Sequence, residues 1–343
     1  MSAIGELSAA VKNNPDAVEI YLALGNLFRA QGELERAIQI RNSLIVRQNV
    51  EEEFKAKAWF EMGRDYKRAG FLDRAQSAFE QARVLLGDDP VILEEMARLA
   101  ADSGEYEKAS HFYSRLKNTT AEAYYLVRLA HESWMQNDRT AGKKWLNKAM
   151  KVNPGSVEGW LEILYRSYLG NGPKQFAQDV RKALNTVPDR FRFVVLEGIL
   201  EFPSHASSHE DDSGEKSSRF DEEFCRYLLP VLEEENDDIL LFYYGAWIAL
   251  KCGNPENARS WFEKTLLLDP DFWPARLELL ANSLDEQTLT AEFKVQLEFF
   301  LKRARRVKRF VCLKCGLKRE QTFLVCTRCQ AWYSISFRLS LSD

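Results

Sequence analysis

Apolar residues recur three and four positions apart through most of this chain, the spacing that turns one face of an α-helix toward a core. The pattern also repeats as a block. LGNLFRAQGELERAI, starting at Leu24, aligns without gaps with MGRDYKRAGFLDRAQ, starting at Met62, at a shift of 38 residues. MARLAADSGEYEKAS follows from Met96 at a further shift of 34, and GAWIALKCGNPENAR takes up the pattern again from Gly245. LAHESWMQNDRTAGK, from Leu129, matches more loosely and closes with Ala149 and Pro154. A block repeated at this period is one supersecondary unit used several times, each copy burying its apolar face against the next.

Each block holds a small residue midway in a first helix (Gly25, Gly63, Ala97, Ala130, Ala246) and a turn residue seven positions later (Gly32, Gly70, Gly104, Asn137, Gly253). A second small residue then falls in a second helix (Ala37, Ala75, Ala109, Gly142, Ala258). Two helices of a hairpin approach closely only where side chains are small, and bulky neighbours fill the space on either side. Tyr21, Phe28, Trp59, Tyr66, Phe79, Trp261 and Phe262 therefore read as repeat core. These blocks resemble tetratricopeptide repeats, and the expected fold is all-α: a tetratricopeptide-repeat superhelical solenoid. Pro154 and Pro270 stand where one hairpin stops and the next begins, since proline cannot continue a helix interior.

Residues 156–202 keep helical periodicity without the repeat signature, which predicts one or two degenerate hairpins. PSHASSHEDDSGEKSSRF follows, with no apolar residue larger than alanine before Phe220, too polar to bury a core of its own. The expected organisation is N-terminal repeats over 1–202, a polar linker over 203–219, C-terminal repeats over 220–301 and a small metal-binding domain over 302–343.

That last domain is set by CLKCGLKREQTFLVCTRC, residues 312–329, which carries four of the chain's six cysteines as two Cys-x-x-Cys pairs. Each pair folds into a tight knuckle that delivers two thiolates to one ion, so Cys312, Cys315, Cys326 and Cys329 are the predicted ligands of a single metal, zinc or iron. The ten residues between the pairs suit a small hairpin, with Phe323 and Val325 beneath the cage. A domain this small has little core, and the ion supplies much of its folding free energy. With all four positions filled by protein, none is left for a substrate or an activated water.

Charge is unevenly spread. The chain carries a net charge of -4, yet from Lys302 onward eleven Lys or Arg face only Glu320 and Asp343, leaving +9 in the tail and -13 elsewhere. KRARRVKR, residues 302–309, places six cations in eight residues. It reads as a solvated helix end docking on acidic repeats, or as a surface for anionic lipid headgroups or nucleic acid. No apolar run supplies the roughly 20 residues of a membrane span, and the first residues lack the pattern of a secretory signal. The expected location is the cytoplasm, where Cys225 and Cys252, each in a helical pattern, are small core residues with reduced thiols. No phosphate loop, dinucleotide fingerprint or nucleophile elbow is present, and none of the four histidines sits in a catalytic pattern, so the expectation is a non-enzyme without a small-molecule substrate.

Taken together, the repeats containing LGNLFRAQGELERAI and MGRDYKRAGFLDRA, followed by a terminal cage ending CTRCQAWYSI, resemble the lipopolysaccharide assembly protein B (LapB) family. The resemblance implies a rubredoxin-like metal domain packed on cytoplasmic repeats at the inner membrane. It also implies an adaptor that helps the protease FtsH degrade the deacetylase LpxC, balancing lipopolysaccharide against phospholipid. Members of that family typically begin with a membrane-spanning helix, which this chain lacks, so peripheral membrane association is expected. The second knuckle has Thr327 where rubredoxins usually carry proline and Gln330 where they often carry glycine, which favours a structural ion over a redox one. Asn26, Arg29, Arg64 and Lys67 fall at helical spacing on first helices, where they would point into the concave groove and meet a partner segment. The alternatives are a rubredoxin-like electron carrier on a repeat scaffold, and a repeat scaffold whose basic zinc ribbon binds nucleic acid.

Overall fold

The computed structural model describes residues 6–7, 17–202, 220, 222–234, 238–284 and 288–339. The predicted linker, 203–219, lies outside the described residues. Sixteen α-helices and one small sheet make up the described chain, which divides into two compact units, Met1–Val152 and Asn153–Asp343. No helix among the described residues is long and apolar enough to cross a membrane.

Among its described residues the first unit contains four antiparallel helix pairs: α1 (Val18–Gln31) with α2 (Leu34–Ile45), α3 (Glu52–Arg68) with α4 (Leu72–Leu86), α5 (Pro90–Asp102) with α6 (Tyr106–Arg115), and α7 (Thr119–Met135) with α8 (Arg139–Val152). The repeat signature explains both the turns and the close packing. Gly32, Gly70, Gly104 and Asn137 all take a positive φ, between 63° and 84°. At each, the following amide reaches back to close the helix end, as Glu33 N–H does to the Phe28 carbonyl at 2.9 Å and Phe71 N–H to Tyr66 at 2.9 Å. Glycine and asparagine adopt this left-handed geometry at least cost. The small positions of the paired helices meet: Ala37, Ala75, Ala97, Ala109 and Ala130 are fully buried. At Gly63 a Cβ would lie 2.6 Å from the Phe79 ring, so the aromatic fills the space that the missing side chain leaves.

One part of this core is ionic. Arg41 and Asp65 are both fully buried, with Arg41 Nε 2.5 Å from Asp65 Oδ2. Burial presses Asp65 upward in pKa and Arg41 downward, against the pull of their own ion pair. Asp65 is thus an acidic residue of a repeat helix that lies in the core instead of on a solvated face.

The second unit begins with the hairpin α9 (Val157–Gly170) and α10 (Pro173–Thr186), then a 3₁₀ turn (Asp189–Phe191) and α11 (Arg192–Leu200). The degenerate stretch is thus one hairpin and a short helix, buried almost all round: Phe193, Val194, Val195, Leu196 and Ile199 are each at most 3% exposed. Then come α12 (Glu222–Glu234), α13 (Ile239–Lys251), α14 (Pro255–Leu268), α15 (Trp273–Ser283) and α16 (Ala291–Ala304). Here α13 and α14 form a hairpin with its turn at Gly253, φ 71°. Its crossing is close, since a Cβ on Gly245 would lie 2.0 Å from the Trp261 ring.

The structure corrects one sequence expectation here. Cys225 on α12 and Cys252 at the end of α13 are joined in a disulfide, with Cα atoms 5.6 Å apart, instead of standing as separate reduced thiols. Their 27-residue separation gave no hint of pairing, because it is the packing of α12 along α13 that brings them together.

Candidate metal centre

A three-stranded antiparallel sheet in the order β2-β1-β3 carries the cysteine cage: β1 (Phe310–Cys312), β2 (Lys318–Arg319) and β3 (Ile335–Phe337). Strand β1 alternates, with Phe310 and Cys312 fully buried and Val311 partly exposed. The first knuckle turns where Gly316 N–H bonds the Cys312 carbonyl at 2.8 Å, and the second repeats this between Gln330 N–H and the Cys326 carbonyl at 2.8 Å. Both knuckle ends are left-handed, Gly316 at φ 70° and Gln330 at φ 56°. Gln330 therefore occupies a conformation that costs a non-glycine residue about 1–2 kcal/mol.

The four cysteine sulfurs come together in the fold. Sγ of Cys312 lies 3.7 Å from that of Cys329, Sγ of Cys315 lies 3.6 Å from that of Cys326, and all four are within 4.8 Å of one another. An ion at the centre of a regular sulfur tetrahedron, with bonds of about 2.3 Å, needs sulfurs about 3.8 Å apart. The cluster fits one such ion. Its protonation points the same way. Burial disfavours the Cys312 thiolate, but the Ser334 hydroxyl and the Cys315 and Lys314 amides outweigh it and bring the thiol down to about 6. The Leu317 amide favours the Cys315 thiolate, yet burial and three neighbouring sulfurs push that thiol up to about 12. A bound cation would offset the mutual repulsion of sulfurs held this close.

The cage is seated on helices of its own unit by contacts that sequence reading missed. Tyr333, four residues past Cys329, donates its hydroxyl to the Glu158 carboxylate and accepts from Val157 N–H at 3.0 Å. Its ring meets Phe191 edge-on, with centroids 5.0 Å apart. Phe310 stacks on Phe193 at 5.9 Å, and Phe337 stacks on Phe272 at 5.8 Å. Glu158 is buried, which pushes its carboxyl upward in pKa despite the bonds from Tyr333 and Ser156. The alternation of Phe310 with Cys312, and of Ile335 with Phe337, was the available signal for a buried strand face. Nothing in the local sequence distinguished Glu158 from a surface glutamate.

The basic run lies partly against acidic groups. Arg305 grips Glu278 with two bonds, 3.1 and 2.6 Å, and Arg309 donates to Glu197 at 2.9 Å. Lys302, Arg303 and Arg306 remain exposed.

In the first unit, the four residues expected to meet a partner belong to a network. Asn26 Oδ1 accepts from Arg29 and from Arg41, both at 2.9 Å. Arg29 also bonds Asp65 at 3.1 Å and pairs with Glu61 at 2.5 Å. Arg64 lies 3.4 Å from Glu61 and 3.7 Å from Glu95, and Lys67 lies 3.0 Å from Asp102. Of these, the Arg64 side chain keeps 44% of its surface exposed and that of Arg29 only 15%.

Helical hairpins with left-handed turns, small residues at their crossings and a terminal four-cysteine cluster define a tetratricopeptide-repeat-like fold that ends in a candidate metal-binding domain. The tetratricopeptide repeat family model matches residues 1–48. Along 333 residues the chain is 24% identical to lipopolysaccharide assembly protein B of Escherichia coli (strain K12), a match covering 95% of this chain and 82% of that protein. The protein of the same name from Haemophilus influenzae is 28% identical over 185 residues, covering 50% of this chain and 44% of that one. Among solved structures, a tetratricopeptide repeat protein from Parabacteroides merdae aligns with a TM-score of 0.36 at 16% identity, over 78% of this chain and 98% of that one. MamA aligns with a TM-score of 0.34 at 19% identity, over 44% of this chain and 87% of its own.

Proposed function

We propose that this protein is a non-enzymatic adaptor in the control of lipopolysaccharide assembly, promoting proteolysis of the deacetylase LpxC by FtsH. The observation that carries the reading is the match to lipopolysaccharide assembly protein B along 95% of the chain. The division into repeats over 1–202 and 220–301 and a metal domain over 302–343 accompanies that reading. Cys312, Cys315, Cys326 and Cys329 bind one zinc or iron ion, whose closed thiolate shell folds the terminal domain and leaves no position for a substrate. Arg64 and Lys67 face the partner segment; Glu61 ties Arg64 to Arg29 and, through it, to Asn26, while Glu95 and Asp102 hold Lys67. One surface recruits the substrate and another the protease at the cytoplasmic face of the inner membrane, so that effective concentration does the work of catalysis.

Depleting the protein from its native cells should lengthen the lifetime of the deacetylase in a pulse-chase. A chain carrying Cys326→Ser should fail to restore it. An unchanged lifetime on depletion overturns the reading.

A further inference from the structure

Within the second unit, α13, α15 and the residues following α16 border a cavity of about 200 Å³ that the adaptor function does not use. Tyr243, Trp247, Trp273, Pro274 and Leu277 give it an apolar lining, and Glu278, Arg305 and Arg309 stand on it as well. Rings on several sides suit a flat or branched apolar group, and guanidinium groups beside them suit an anion.

The charge state narrows which anion. Arg305 is paired with Glu278 and Arg309 with Glu197, so these four groups sum to no net charge. A dianion such as a phosphate monoester would find no surplus cation. A single carboxylate needs donors more than net charge, and donors are in excess. A guanidinium carries five N–H bonds, of which Arg305 uses two on Glu278, while Arg309 uses one on Glu197 and lies beside the Tyr243 hydroxyl. The Trp273 indole nitrogen is buried with no partner, and that of Trp247, beside the Tyr243 hydroxyl, makes no well-formed bond. Both nitrogens have almost no accessible surface and lie behind the cavity wall, so the donors left to a ligand are the N–H groups of the two guanidinium groups.

We propose that this cavity binds an apolar or aromatic group ending in one carboxylate. The apolar body lies among Tyr243, Trp247 and Trp273, and the carboxylate accepts from the spare N–H groups of Arg305 and Arg309. Such a group is either a free small acid or the last residue of a peptide.

The test titrates the full metal-loaded chain, by calorimetry and tryptophan fluorescence, with N-acetyl-phenylalanine, its C-terminal amide, phenyl phosphate, and a hexapeptide ending in phenylalanine with a free carboxylate. The acid should bind saturably, with the amide and the phosphate each about tenfold weaker or more, the loss expected for one charge-assisted contact. A hexapeptide tighter than the small acid identifies a peptide end, and equal affinity identifies a small acid. Arg305→Gln should weaken the acid and leave the amide unchanged. Leu277→Trp, which fills the cavity without touching its charges, should abolish binding while the melting temperature holds. No saturable binding, equal affinity for acid and amide, tighter phosphate, or unchanged binding in Leu277→Trp overturns the proposal.

Discussion

The Tyr333 hydroxyl donates to the buried Glu158 carboxylate, tying the four-cysteine domain to the first turn of α9. Glu158 is raised in pKa by burial, and the Tyr333 bond opposes that rise. Relative to the unfolded chain, folding shifts this carboxyl toward its protonated form. Its contribution to stability is complete below the ordinary carboxylate range, about 4, and is lost as pH rises through the raised folded value.

Tyr333→Phe keeps the ring on Phe191 but removes that donor. At neutral pH the second unit should lose about 2 kcal/mol in urea unfolding, as expected for a buried charge left short of a bond. The loss should shrink at pH 5, where the carboxyl takes up its proton more readily. An equal loss at both pH values would contradict this account of Glu158.

Metal content and thiol count test the two uses of cysteine together. The purified chain should carry about one ion, and Cys326→Ser about none after dialysis against a chelator. A colourless zinc form that is fully active in cells rules out the electron-carrier alternative. Unfolded with chelator and no reductant, the chain should present four reactive thiols, its six cysteines less the bridged pair.

Removing the acid from the buried ion pair should be expensive. Asp65→Ala strands Arg41 without its partner at a cost of about 3–5 kcal/mol, read by the melting of the first unit. Replacing both, as Arg41→Met with Asp65→Leu, should recover most of it.

Gly245→Ala forces a methyl into the Trp261 ring. The expected cost is about 1–3 kcal/mol, because the indole is fully enclosed and has little room to retreat. Gln330→Gly should act in the opposite sense, stabilising the terminal domain by about 1 kcal/mol in thermal unfolding without altering its metal content.

Much of this architecture was legible in the chain because hairpin stacking leaves a local mark. The turn residues Gly32, Gly70, Gly104, Asn137 and Gly253 could be placed from sequence because left-handed geometry admits few residue types, and the knuckles because two thiolates need a fixed short spacing. What stayed hidden depends on groups that meet only after folding. Asp65 meets Arg41 across helices, Cys225 meets Cys252 across two more, and Glu158 is buried by a tyrosine 175 residues away. Each is an ordinary residue in its own stretch, and tertiary packing alone gives it its chemistry.

The short path from Cys329 through Tyr333 to Val157 makes the state of the thiolate cluster perceptible to the helices. A chain starved of its ion would loosen that tyrosine and unseat the hydroxyl from the amide it caps. The order of the first turn of α9 would then track whether the four sulfurs are held together.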